Sequence, residues 1–130
     1  MTVVDASAVL ELLLRTPAAA AVDVRLFGLG ETLHAPHLID VEVAQVLRRY
    51  AGTGDVSAAR CRAALSDLAD LPLTRYPHDI LLPRVWEMRG NLTAYDAVYV
   101  ALAEALDAPL LTRDRRLARA GGHRARIELV

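Results

Sequence analysis

Residues 94–106 read AYDAVYVALAEAL, a helical stretch that is apolar around nearly its whole circumference, with only Asp96 and Glu104 charged. A helix of this kind has no face to offer to solvent and is expected to be buried. The remaining chain must therefore supply layers on more than one side of it. It does so in alternation: short β-branched or aliphatic runs are followed by helix-forming segments along the whole length. Met1 to Val4 reads as a strand and Ala6 to Leu14 as a helix. Pro17 and the four alanines after it open a second helix that ends near Gly28 to Gly30. Thr32 to Ala35 reads as a strand, and Pro36 opens a longer helix to about Ala51 with an apolar stripe of Ile39, Val43, Val46, Leu47 and Tyr50. Ser57 to Leu71 forms a further helix, Leu73 to Tyr76 a strand, and Ile80 to Arg89 a helix with Pro83 in its first turn. After the apolar helix come a strand at Pro109 to Thr112, a short helix at Asp114 to Ala120 and a last strand at Arg126 to Val130. Strands alternating with helices predict an α/β fold, a three-layer α/β/α domain with a mainly parallel central sheet of about four to five strands.

One domain over residues 1–130 accommodates this pattern. With 54% hydrophobic and 24% charged residues the chain can bury a substantial core, and no linker or repeat divides it. The single cysteine, Cys61, permits neither an internal disulfide nor a thiolate zinc site, and it reads as a small core residue. All 15 basic residues are arginines, which removes phosphate-loop and Schiff-base lysine chemistry. The net charge is only −1, yet residues 113–126 carry six arginines and one acid, a local +5 against −6 for the rest. No apolar run approaches the roughly 18 residues needed to cross a bilayer, and the N-terminus enters a strand without a basic leader, so a soluble, cytoplasmic protein is expected.

Chemistry in open parallel sheets sits beyond the carboxyl ends of the strands, where Asp5 and Asp114 lie. Each is also well placed to cap the helix that follows it. Asp96 fits a T-x-x-D capping box with Thr93, but a carboxylate on a buried helix is costly without a strong partner. Glu42 and Asp40 flank the apolar stripe of their helix on opposite sides, and periodicity does not say which one faces the sheet. Several acids gathered at one sheet edge, with no lysine among them, repel one another, and a hard divalent cation is the usual remedy. His34 and His37 are separated by Pro36, which breaks the helix that would align them, so they read as structural or exposed. Ser7, Ser57 and Ser66 occur in no nucleophile-elbow setting, and there is no glycine-rich phosphate loop.

Four segments in order, V-V-D-A-S-A, E-V-A-Q-V-L-R-R, Y-D-A-V-Y-V-A-L-A-E and P-L-L-T-R-D-R-R-L-A, together resemble the PIN domain, in particular the VapC toxins of type II toxin–antitoxin systems. The resemblance covers essentially the whole chain, while Ala51 to Arg89 carries no diagnostic motif. It implies that Asp5, Glu42, Asp96 and Asp114 are the catalytic, metal-holding acids, and it selects Glu42 over Asp40. Ser7 and Thr112 correspond to hydroxyl residues that support the acids in relatives. The implied activity is a Mg²⁺- or Mn²⁺-dependent endoribonuclease in which the ion activates water for phosphodiester hydrolysis. Arg113, Arg115 and Arg116 beside the last acid are candidate contacts to RNA phosphates. The implied partners are RNA, a VapB-type antitoxin and a second copy of the chain, giving a homodimer and a toxin–antitoxin hetero-oligomer; no membrane partner is expected. The alternative is a catalytically inactive PIN-like module that binds protein or RNA. A small-molecule phosphohydrolase is a further rival, but the D-x-D and lysine elements of the common designs are missing.

Overall fold

The first strand of the chain, β1 (Thr2–Val4), stands at the centre of a five-stranded sheet, with β2 (Leu33–Pro36) on one side and β4 (Leu110–Thr112) on the other. In the computed structural model, which describes residues 1–28 and 30–130, β3 (Leu73–Tyr76) and β5 (Ile127–Leu129) form the edges and every pairing is parallel. The order β3-β2-β1-β4-β5 places β2 and β4 on opposite sides of β1, so the chain changes direction of progression between β1 and β4. Such a switch point opens a crevice at the carboxyl ends of the two strands.

Consecutive residues of the three inner strands are all buried, including Val3 and Val4, Leu33 to Pro36, and Leu110 to Thr112. Because side chains alternate between faces, this requires cover on both sides of the sheet. The helices that supply it are α1 (Ala6–Leu14), α2 (Ala19–Phe27), α3 (Leu38–Thr53), α4 (Ala58–Asp70), α5 (Leu82–Glu87), α6 (Ala94–Leu106) and α7 (Arg115–Arg119). The all-apolar helix is α6, and residues Ala97 to Ala103 are buried along it while it packs across β1, β2 and β4. The side chain of its second acid, Glu104, is only 6% exposed and is held in a fork by the Arg84 guanidinium at 2.8 and 2.9 Å. Cys61 is buried in the core, its thiol facing the Leu47 carbonyl.

Several boundaries differ from the sequence expectation; Pro17 lies in a turn, and α2 begins two residues later at Ala19. Pro36 does not open α3; it ends β2 opposite Tyr76, and the next N–H, of His37, donates to the Tyr76 carbonyl at 2.9 Å. A proline lacks the donor that continued pairing would need, so it suits the last strand position. The expected helix Ile80 to Arg89 is split into a 3₁₀ turn (Asp79–Leu81) and the short α5, with Pro83 in the first turn of α5. The second helix ends at Phe27, and of its expected Gly28 to Gly30 terminus Leu29 lies outside the described residues. Among the described residues, no helix is long and apolar enough to cross a membrane.

Candidate active site

Asp5 follows β1 directly and caps α1: its Oδ1 accepts from the Ala8 N–H at 3.1 Å. It is also the junction of a network that joins the two central strands. The Ser7 hydroxyl donates to Asp5 Oδ1 at 2.6 Å, and the Thr112 hydroxyl, at the end of β4, donates to Asp5 Oδ2. Ser7 and Thr112 in turn accept from the Arg113 and Asp114 N–H groups, each at 2.9 Å. The cap and the site are thus the same carboxylate, only 7% exposed and held by three donors. Asp114 likewise caps its helix, its Oδ1 accepting from Arg116 N at 2.8 Å and Leu117 N at 3.4 Å.

Helix α3 contributes Glu42 and turns Asp40 away. Asp40 lies on the side facing β3, where Arg75 grips both its oxygens at 2.8 to 3.0 Å. Glu42 lies on the side that faces Asp5, and its Oε1 is buried without a hydrogen-bond partner. Helix α6 contributes Asp96 from its first turn. Thr93 caps α6 by accepting from Asp96 N at 3.2 Å, but the reciprocal bond of a full capping box is absent among the described residues.

These four acids line one cavity of about 340 Å³ together with Ser7, Glu11, Arg49, Tyr50, Tyr99 and Arg113. As the side chains stand, no three Asp, Glu, His or Cys residues among the described ones converge on a common point. Burial raises the carboxyls of Asp5, Glu42 and Asp96 above their ordinary range. The Asp96 charge raises Asp5 and Glu42 further, and the Asp114 charge raises Asp96. The hydroxyl network at Asp5 opposes its shift without cancelling it. The donor set consists of carboxylate and hydroxyl oxygens around a buried oxygen with no partner, and it fits a hard divalent cation. Among the described residues no thiolate or imidazole borders the cavity, and the oxygen donors present do not suit a soft metal.

Three cavity residues have no role assigned from the sequence, although Arg49 and Tyr99 lie within two of the motif segments and Tyr50 within the apolar stripe. Tyr99, 2% exposed, has a buried hydroxyl beside Glu42, and burial, together with that carboxylate, pushes its phenol upward. It sits three residues after Asp96, so helical spacing alone places the two on one face. Arg49 and Tyr50 lie seven and eight residues after Glu42, again the same face of one helix. Among the arginines expected to meet RNA, Arg113 borders the cavity but is tied to Glu11 at 3.7 Å and to the Val130 carbonyl. Arg116 is 91% exposed and only 3.9 Å from Asp114; Arg115 is exposed and borders neither this cavity nor its neighbour. Arg124 and Arg126 are committed to Glu104 and Asp107. The histidines stand apart from the acids. His34 is buried between Thr32 and Tyr76 at 2.8 and 2.7 Å, and His37 is exposed.

A model of the PIN domain matches residues 2–123. The chain is 48% identical over 130 residues to the VapC ribonuclease Mb0985 of Mycobacterium bovis, covering all of this chain and 98% of that protein. It is 49% identical over 131 residues to ribonuclease VapC1 of Mycobacterium tuberculosis, covering 98% of this chain and 96% of that one. Among solved structures, VapBC2 of Rickettsia felis, bound to a DNA fragment from its promoter, superposes with a TM-score of 0.70. That match spans 98% of this chain and 97% of the other at 12% identity, and it establishes likeness of fold.

Proposed function

Because the chain belongs to the PIN-domain family, we propose that it is a VapC-type endoribonuclease, the toxin of a toxin–antitoxin pair, and that it cleaves RNA at the four-acid cavity. The observation that carries the site assignment is the meeting of Asp5, Glu42, Asp96 and Asp114 around one cavity at the β1–β4 switch point, with Glu42 Oε1 buried and unpartnered. Ribonucleases of this family depend on divalent metal. Asp5, Glu42 and Asp96 would hold Mg²⁺ or Mn²⁺, with Asp114 completing the set from the β4 side. When bound, the ion neutralises the scissile phosphate and lowers the pKa of an attacking water. The remaining work belongs to the chain. Ser7 and Thr112 fix the orientation of Asp5 by donating to both of its oxygens, as supporting groups around a metal site do. Among the described residues the cavity is lined by carboxylates and hydroxyls rather than by histidine or lysine.

A VapB-type antitoxin is the matching protein partner, and we place the toxin in a homodimer within the hetero-oligomer the pair forms. Cleavage of single-stranded RNA in Mg²⁺ or Mn²⁺, abolished by chelation, with no hydrolysis of a small phosphomonoester, is the expected result. Undiminished cleavage in excess EDTA would refute the metal mechanism. Binding of RNA without cleavage under any divalent ion would favour the inactive-module alternative.

A further inference from the structure

Asp96 borders two cavities. The larger holds the four acids and continues along α3 to Arg49 and Tyr50; the smaller, about 200 Å³, is walled by Asn91, Thr93, Arg116 and neighbouring apolar side chains. An exposed arginine therefore borders each cavity, Arg49 the larger and Arg116 the smaller, and Asp96 is shared by both. Arg49 lies seven residues beyond Glu42, about 10 Å along the helix axis. It makes no hydrogen bond or ion pair with any described residue. Arg116 reaches only Asp114, at 3.9 Å, and is almost wholly in solvent. Arg113, the other cation on the larger cavity, is held by Glu11 and the Val130 carbonyl.

Resting on the ribonuclease reading above, we infer that the RNA strand runs from Arg49 across Asp96 into the smaller cavity, with Arg49 and Arg116 holding phosphates on opposite sides of the one that is cut. A polyanion laid over four carboxylates needs cations where its flanking phosphates fall, and a guanidinium fork suits phosphate oxygens. Each end also offers a group for a nucleoside. Tyr50 presents an aromatic face beside Arg49, and the exposed Asn91 amide offers both a donor and an acceptor beside Arg116.

The test uses an oligoribonucleotide that the wild-type protein cuts, drawn from a mixed-sequence single-stranded pool, and versions of it with one neutral methylphosphonate linkage at each position outside the cut. In the wild type, neutral linkages on either side should raise KM several-fold. R49Q should lose sensitivity to linkages on one side only and R116Q on the other, with kcat at saturating RNA and melting temperature unchanged. Each variant should also lower the slope of log KM against log salt by about 0.7, the change expected when one fewer single-strand phosphate is neutralised. R62Q, which removes an exposed arginine of α4 that borders neither cavity, should keep the wild-type KM. Wild-type KM in R49Q and R116Q, retained sensitivity to every linkage, or an equal effect of R62Q would each overturn the strand path while leaving the ribonuclease reading intact. A wild-type protein that cuts no RNA would overturn that reading and the path with it.

Discussion

Asp40 and Glu42 stand two residues apart on one helix and do unrelated work. Periodicity does not choose between them because both flank the same apolar stripe; only the position of β3, with Arg75 reaching across to Asp40, separates them. The choice of Glu42 comes from the motif, not from the helical pattern. Glu42→Gln should abolish cleavage while leaving the fold intact, because it keeps the shape and removes one of several mutually repelling charges. Asp40→Asn should do the reverse. It leaves cleavage near wild type and lowers stability by about 1 kcal/mol, because the Arg75 fork loses its charge. Initial rates and thermal melts of the two variants check this, and equal loss of activity in both would remove the basis for distinguishing them. Arg49 and Tyr99 escape a sequence reading for a different reason. Each lies at helical spacing from an acid, but that spacing gains meaning only once the acid is known to face a cavity.

Helix α6 is readable from sequence almost to the residue, because a stretch apolar on every side admits few placements and Thr93 is a strong cap. The Ile80–Arg89 segment is not, since the same apolar periodicity fits one helix or a 3₁₀ turn followed by a shorter helix. Pro36 misleads in a similar way: a proline is equally at home at the end of a strand and at the start of a helix. Within α6 the cap and the chemistry are coupled, as the N–H that Thr93 accepts belongs to Asp96 itself. Thr93→Ala should therefore cost about 1 kcal/mol of stability and lower cleavage as well, whereas Thr93→Ser should restore both. A stability loss with fully retained activity would show that the cap does not position Asp96.

The alternation of elements announces a parallel sheet, but not its strand order, which depends on crossovers that no local pattern encodes. That order decides which acids meet, and their meeting sets how the whole domain responds to pH. Asp5, Glu42 and Asp96 are all raised in the folded state from ordinary values of 3.8 or 4.5, chiefly by burial, so the folded protein holds those protons more tightly than the unfolded chain. Their contribution to stability is complete below the ordinary values and is lost as pH rises through the raised ones. Glu104 works in the opposite direction. Arg84 lowers it from 4.5 to about 2, so its contribution is present above 4.5 and is lost as pH falls through about 2. In EDTA the melting temperature should accordingly rise as pH is lowered through the raised values of the three carboxyls, on the limb nearer neutrality, and fall in stronger acid as Glu104 is protonated. Asp96→Asn should flatten the neutral limb, and added Mg²⁺ or Mn²⁺ should raise stability most where the carboxylates are ionised. Melting curves across pH with and without the ion decide it; a neutral limb that Asp96→Asn leaves unchanged would count against mutual repulsion at the site.

The Thr112 hydroxyl that grips Asp5 reaches across 107 positions of the chain. Strand β1 is made before the other strands but stays without its β4 neighbour until residues 110–112 have been made, and α6, which covers both, precedes β4 only narrowly. Every nascent chain short of that point carries Asp5, and most carry Glu42, yet none can close the crevice in which the acids meet. Closing so long a loop is an entropic burden deferred to the end of folding. Under the ribonuclease reading, a chain that stops before β4 lacks Thr112 and Asp114 and is expected to cleave nothing, so that synthesis and activity are separated in time.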